Sequence, residues 1–205
     1  MTSISFSPVL VVRLIANPSA VFRALAEVRP DAAEVFFKLA IWLGILPPMF
    51  AYIGASRFGW HLGASEPLYL PNATLVGISF AYFLTLLFGF VSTAFVSQWM
   101  ATTYGARLSL GIHMALITVV AAPLAVGSII HLYPHVFLNV LVLVPTLIWS
   151  MYLLYRGLPV ALRIDPQRGM LMASALIAYL LVAAVSLLGL TAILWIHGIG
   201  PRVGF

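Results

Sequence analysis

Cysteine is absent from this chain of 205 residues, and charge nearly so: ten basic and five acidic side chains make up 7% of it. The missing thiol excludes disulfides, thiolate metal sites, iron–sulfur clusters and cysteine nucleophiles together, and leaves the redox compartment open. The missing charge excludes more. A soluble domain covers its surface with about 25% charged residues. Here 63% of residues are hydrophobic and the mean hydropathy is +1.11, so the surface must meet lipid.

Carboxylates are the scarcest chemistry. Glu27, Asp31, Glu34, Glu66 and Asp165 are the whole set, and none falls at the middle of an apolar run. A proton- or cation-coupled transporter keeps an ionisable group near the bilayer centre, and no inverted repeat is visible either. Phosphate-binding glycine loops, a nucleophile elbow and paired catalytic carboxylates are also missing. The expectation is a protein that is not an enzyme and holds no cofactor. A net charge of +5 spread over loops makes no continuous basic face, which argues against nucleic acid.

Long apolar runs are what the chain has. Each of about 20 residues can cross the hydrocarbon layer as a helix, and the runs are apolar on every side, unlike the alternating strands of an outer-membrane barrel. The expected fold is all-α: a polytopic membrane protein with five transmembrane helices in a bundle and short amphipathic N-terminal surface helices. Residues 1–30 form the cytoplasmic or interfacial N-terminal part, and 31–205 the transmembrane domain, with spans at about 32–54, 74–100, 109–130, 136–158 and 166–196. Arg13 interrupts the first apolar stretch, MTSISFSPVLVVRLIANP, before it can serve as a signal-peptide core, so that stretch is expected to be retained.

Ser7 before Pro8 and Asn17 before Pro18 each read as a helix N-cap followed by proline at the first position. The second short helix places Phe22, Leu25 and Val28 on one side, with Arg23 and Glu27 as a solvent-side pair. It is too short to span. Lying along the membrane surface with its apolar side inserted is the expected state, although contact with the bundle gives the same pattern.

Asp31 caps the first span, where Lys38 extends back to the headgroups and pairs with Glu34 one turn earlier; a proton relay is the alternative. Pro47 and Pro48 kink this span, Pro123 the third, and Pro145 the fourth, beside Asn139. Such prolines bend helices to fit one another, and the alternative is that broken helices line a ligand cavity. Trp60 and Tyr69 lie in the first loop and suit the interface. In the second span Gly77, Ala81, Thr85, Gly89, Thr93 and Ser97 recur at every fourth position. Small residues at that spacing allow two helices to approach closely, crossing near −40°. Packing within the chain is the expected use of this ridge, and a dimer contact the alternative.

His131 and His135 are four apart, but Pro134 between them argues for a turn, and no carboxylate stands nearby; interface histidines are expected rather than a metal site. His113, near the start of the third span, is satisfied by a backbone carbonyl of a neighbouring helix, with pH sensing as an alternative role.

The basic residues set the orientation. With the N-terminus cytoplasmic, Arg13, Arg23, Arg29, Arg107, Arg156, Arg163 and Arg168 lie inside, and Arg57 and Arg202 outside. The expected location is the inner (cytoplasmic) membrane, with the C-terminus outside. Arg23, Arg29, Arg156, Arg163 and Arg168 are candidate contacts for anionic lipid headgroups.

The stretch SMYLLYRGLPVALRIDPQRG resembles the loop between the fourth and fifth spans of bacterial Yip-family proteins, where a tyrosine-rich helix end leads into a Gly-Leu-Pro-Val turn and a basic residue. Those positions are Tyr152, Tyr155, Gly157, Leu158, Pro159, Val160 and Arg163. LAIWLGILPPMFAYIGASRFGW resembles the family's opening helix, and NPSAVFRAL the short helix before it. The third span departs from the pattern, with HMALITVVAAP where a tyrosine commonly precedes the proline. Eukaryotic members of the family interact with Rab-type GTPases in vesicle traffic, and nothing in residues 1–30 matches their Asp-Leu-Tyr-Gly-Pro motif. For the short bacterial branch the resemblance implies a fold and no settled activity.

These observations together point to a non-enzymatic membrane protein that organises or binds membrane lipids, other membrane chains or its own copies, or serves as a subunit of a larger complex. The alternative is a small transporter or lipid-handling protein with a cavity among its proline-kinked helices.

Overall fold

The fold, taken from a computed structural model, is described for residues 8–61 and 66–197. Two short helices, α1 (Pro8–Ala16) and α2 (Pro18–Val28), precede the membrane region. The first span begins as α3 (Ala32–Val35), passes through a π-helical segment at Phe36–Ala40 and continues as α4 (Ile41–Phe58). α5 (Asn72–Thr103) returns, α6 (Leu110–Gly127) tightens into a 3-10 turn at Ser128–Leu132, and α7 (Val136–Leu162) and α8 (Pro166–Ile196) complete the bundle. Among the described residues, five stretches are long and apolar enough to cross a membrane: Ala32–Phe58, Asn72–Thr103, Leu110–Leu132, Val136–Leu162 and Pro166–Ile196.

Local chemistry sets the starts. The Asn17 side chain accepts from the Ala20 amide, Asp31 from Ala33 and Glu34, and Asp165 from Gln167 and Arg168, in two cases with proline next in sequence. Ser7 lies outside the described residues. α6 is the axis of the bundle: Gly111 to Val120 is buried without a break, and α3, α4, α5 and α7 pack round it. α8 stands outside, against α7 and one end of α5.

The bundle has two unlike ends. One gathers the last turns of α5 and α7, the first turns of α3, α6 and α8, and both short helices; it carries Arg13, Arg23, Arg29, Arg107, Arg156, Arg163 and Arg168, whereas Arg57 closes α4 at the other end. The other carries Trp60, His61, His131 and His135.

At the arginine end α2 departs from the expected surface seat. Its Val21, Phe22, Leu25 and Ala26 are buried against α7 and α6, with the Phe22 ring lying on Gly157. A Cβ at Gly157 would stand 2.4 Å from Phe22 Cζ, so the missing side chain is what admits the ring. Protein packed at interior density gives Phe22 more contacts than lipid would. Arg23 and Glu27 form no ion pair; among the described residues the ion pair is Lys38 to Glu34 at 2.7 Å.

The Gly-Leu-Pro-Val segment is also placed differently from its reading as a turn. Gly157, Leu158, Pro159 and Val160 continue α7, which stops only at Arg163. There the Ile164 amide reaches back to the Pro159 carbonyl at 3.1 Å and the Arg163 amide to Val160 at 3.4 Å, a left-handed helix stop of the Schellman type. Pro159 leaves the Tyr155 carbonyl without its helical donor in the last turn of α7.

Candidate functional site

Helix ends position the arginines. Arg29 closes α2 and Arg163 closes α7, both left-handed, at φ 46° and 54°. A non-glycine residue pays roughly 1–2 kcal/mol for that conformation, and at Arg163 a contact accounts for it: Nη2 donates to the Ala26 carbonyl at 2.8 Å. This bond latches the end of α2 onto the end of α7. Of the family-motif residues, Tyr155 meets Ser174 of α8 through their hydroxyls at 2.9 Å, Leu158 is fully buried, and Pro159 packs on Gly169. Arg156 lies 6.0 Å from the centroid of the Tyr152 ring, at the outer limit of a cation–π contact. Arg13, Arg23, Arg29, Arg107, Arg156 and Arg168 are exposed, and none is in an ion pair with a carboxylate.

The ridge on α5 divides in two. Thr93 and Ser97, near the arginine end, are buried. Gly77, Ala81 and Thr85, towards the other end, are exposed, and a Cβ added at Gly77 or Gly89 would meet nothing within 4 Å. Packing within the chain therefore uses only the last turns of the ridge. The buried turns of the ridge face α6, where Ser97 meets His113; α8 reaches the loop after α5 through Arg168 near Gly105, and from Leu180 onward it is exposed on nearly every side.

His113 is completely buried, and its partner is the Ser97 hydroxyl, with Oγ 2.8 Å from Nδ1, rather than a carbonyl. Its Nε2 is buried with no partner.

Beyond the arginine end the bundle opens. Between α4, α5 and α7 lies a cavity of about 550 Å³, within the range of about 300–1,000 Å³ typical of small-molecule sites. Ala51 and Ala55 of α4 and Leu124 of α6 form its floor, with Leu75 and Ile78 of α5 and Leu143 and Val144 of α7 as walls. The kinking prolines do not line it: Pro47 and Pro48 are buried in packing, Pro123 is partly buried and Pro145 is exposed. Residues beside them do: Leu124 follows Pro123, and Val144 and Leu147 lie on either side of Pro145.

A polar rim closes the far end. Trp60 pairs with Leu68 through two backbone bonds, of 2.8 and 2.9 Å, and the His61 amide donates to the Pro134 carbonyl at 3.0 Å, which ties the first loop to the start of α7. The rings of His61, Tyr133 and His135 stack with centroids 5.8 to 6.3 Å apart. Asn139 donates to the carbonyls of Tyr133 and His135, which fixes its amide orientation, so its Oδ1 accepts from His131 Nδ1. The Pro134 turn and the interface placement of His131 and His135 do not by themselves show that Asn139, a polar group inside an apolar span, bonds to His131 and to the carbonyls of Tyr133 and His135. Its need for satisfied bonds was the available signal. Among the described residues no three His, Asp or Glu side chains cluster as metal ligands do.

Apolar helices wound round a buried central helix, with ends of opposite chemistry, define a multi-span helical membrane protein. Residues 12–187 match the Yip1 domain, and the chain belongs to that family. It is similar to inner membrane protein YohC of Escherichia coli (strain K12), at 29% identity over 185 residues that cover 90% of this chain and 95% of that protein. The same figures hold for YohC of Escherichia coli O6:H1 (strain CFT073). No solved structure matches it.

Proposed function

We propose that this Yip1 domain protein is a non-enzymatic organiser of the inner membrane, which faces the cytoplasm with its arginine end and holds anionic lipid headgroups there. The observation that supports this reading is the exposure of Arg23, Arg29, Arg156 and Arg168 at one end of the bundle with no carboxylate in ion-pair distance. Unneutralised arginine beside anionic headgroups contributes about 1 kcal/mol per side chain, and salt screens it. Arg163 differs, because its guanidinium is engaged by Ala26. A contact surface of this kind also suits the acidic segments of a membrane partner.

Two measurements test the proposal. Purified protein in micelles containing phosphatidylglycerol is expected to retain that lipid and to lose it as salt rises. The variant with Arg23, Arg29, Arg156 and Arg168 changed to Gln should retain much less at low salt, and equal retention overturns the lipid reading. Orientation is readable because the chain has no cysteine. Tyr69→Cys should react with an impermeant maleimide on intact cells, and Gln167→Cys only after lysis; the reverse pattern overturns the placement.

A further inference from the structure

We propose that the cavity between α5 and α7 is a binding site for one glycerophospholipid, entered sideways from the bilayer at the histidine end. Its acyl chain lies along the groove, and its ester and phosphate oxygens meet the rim donors. This site is separate from the arginine face, at the opposite end of the bundle.

The opening is lateral. α5 packs on α4 and α6, and α7 on α6 and α8, but α5 and α7 make no substantial contact with each other. The slot between them is floored by Ala51, Ala55 and Leu124. The residues at its lips, Val140 and Val144, are exposed, so the groove is continuous with the hydrocarbon that surrounds the bundle. A water-filled groove of this composition inside a bilayer would be unfavourable, and an acyl chain matches its walls.

The rim chemistry selects the head of the ligand. Trp60, His61 and His131 line the same cavity as the aliphatic walls, which gives it one polar end. The Trp60 indole can only donate. The Nδ1 atom of His61 is buried without a partner, as is unusual for a buried ring nitrogen. Arg57 and Glu66 both lie at this end and balance in charge, so donors rather than net charge mark the rim. Donors suit the acceptor-rich ester and phosphate oxygens of a phospholipid.

Native mass spectrometry of the full chain with a zwitterionic phosphatidylcholine tests the site without engaging the arginine face. One lipid is expected to bind at least tenfold more tightly than any later one, and glycerophosphocholine, the head without chains, should not bind. Ser79→Trp from α5 and Val140→Trp from α7 each fill the groove from a different wall. Each should remove the tight lipid while leaving the melting temperature in detergent nearly unchanged; using two variants guards against one that fails to fold. His61→Ala should weaken the tight lipid severalfold. Statistical binding of several equivalent lipids to the unsubstituted protein overturns the proposal, as does tight binding that survives both tryptophans.

Discussion

The glycines at the arginine end are pressed by neighbours, and those on the far halves of α5 and α8 face nothing. A Cβ at Gly111 would fall 1.8 Å from the Pro30 carbonyl oxygen, and one at Gly169 2.6 Å from Pro159 Cβ; at Gly77, Gly89 and Gly189 it would meet no atom within 4 Å. Composition alone does not separate these halves, since both are apolar and rich in small residues. Lipid is as apolar as leucine, so helices associate in a membrane only where close approach adds contacts. At the arginine end the short helices and the Arg163 latch hold the backbones together. Beyond it the helices diverge and leave the groove. Gly54 and Gly127 are exceptions: a Cβ at Gly54 would stand 2.0 Å from the His131 carbonyl and one at Gly127 2.7 Å from Thr146 Cγ2, so the ends of α4 and α6 are clamped and the rim keeps its shape.

The comparison is broken most forcefully at its tight end. Gly111→Ala sets a side chain against backbone that cannot step aside, and is expected to cost more than the roughly 1–3 kcal/mol of ordinary overpacking, read as loss of folded protein in detergent. Phe22→Ala empties a fully buried site and should cost about 3–5 kcal/mol by the same measurement. A smaller effect probes the polar contact between α5 and α6. Ser97→Ala leaves both nitrogens of buried His113 without a partner and should cost about 1–3 kcal/mol, whereas Ser97→Ala combined with His113→Leu should recover most of that loss. Gly77→Leu and Gly189→Leu are expected to change stability in detergent by no more than about 0.5 kcal/mol. A larger loss at either position would mean that the open half is closed by a contact in solution, and would erase the contrast between the two ends.

Much of the fold was legible because the membrane leaves a chain few choices. An apolar run must satisfy its own backbone and so becomes a helix, and Asp31, Asn17 and Asp165 mark starts by capping chemistry that is local. Glu34 and Lys38 met because residues four apart share a helix face. Other features depended on partners distant in sequence. Gly157 and Pro159 looked like a turn, since proline usually ends a helix, until Phe22 was seen to occupy the space that Gly157 leaves. The α5 ridge announced that close approach was permitted along its whole length, but could not say where a neighbour arrives. The groove rim was hidden for a similar reason: His61 and Asn139 are brought together by the path of the first loop, which composition does not encode.

The sequence by itself determined the class of protein, the number of spans and the gathering of most arginines at one end, because transfer of polar groups into lipid costs several kcal/mol for each. Only the tertiary structure decided which faces touch. Helix association in lipid rests on short-range fit, which falls away within an ångström of lost contact, and that fit exists only after distant segments have met.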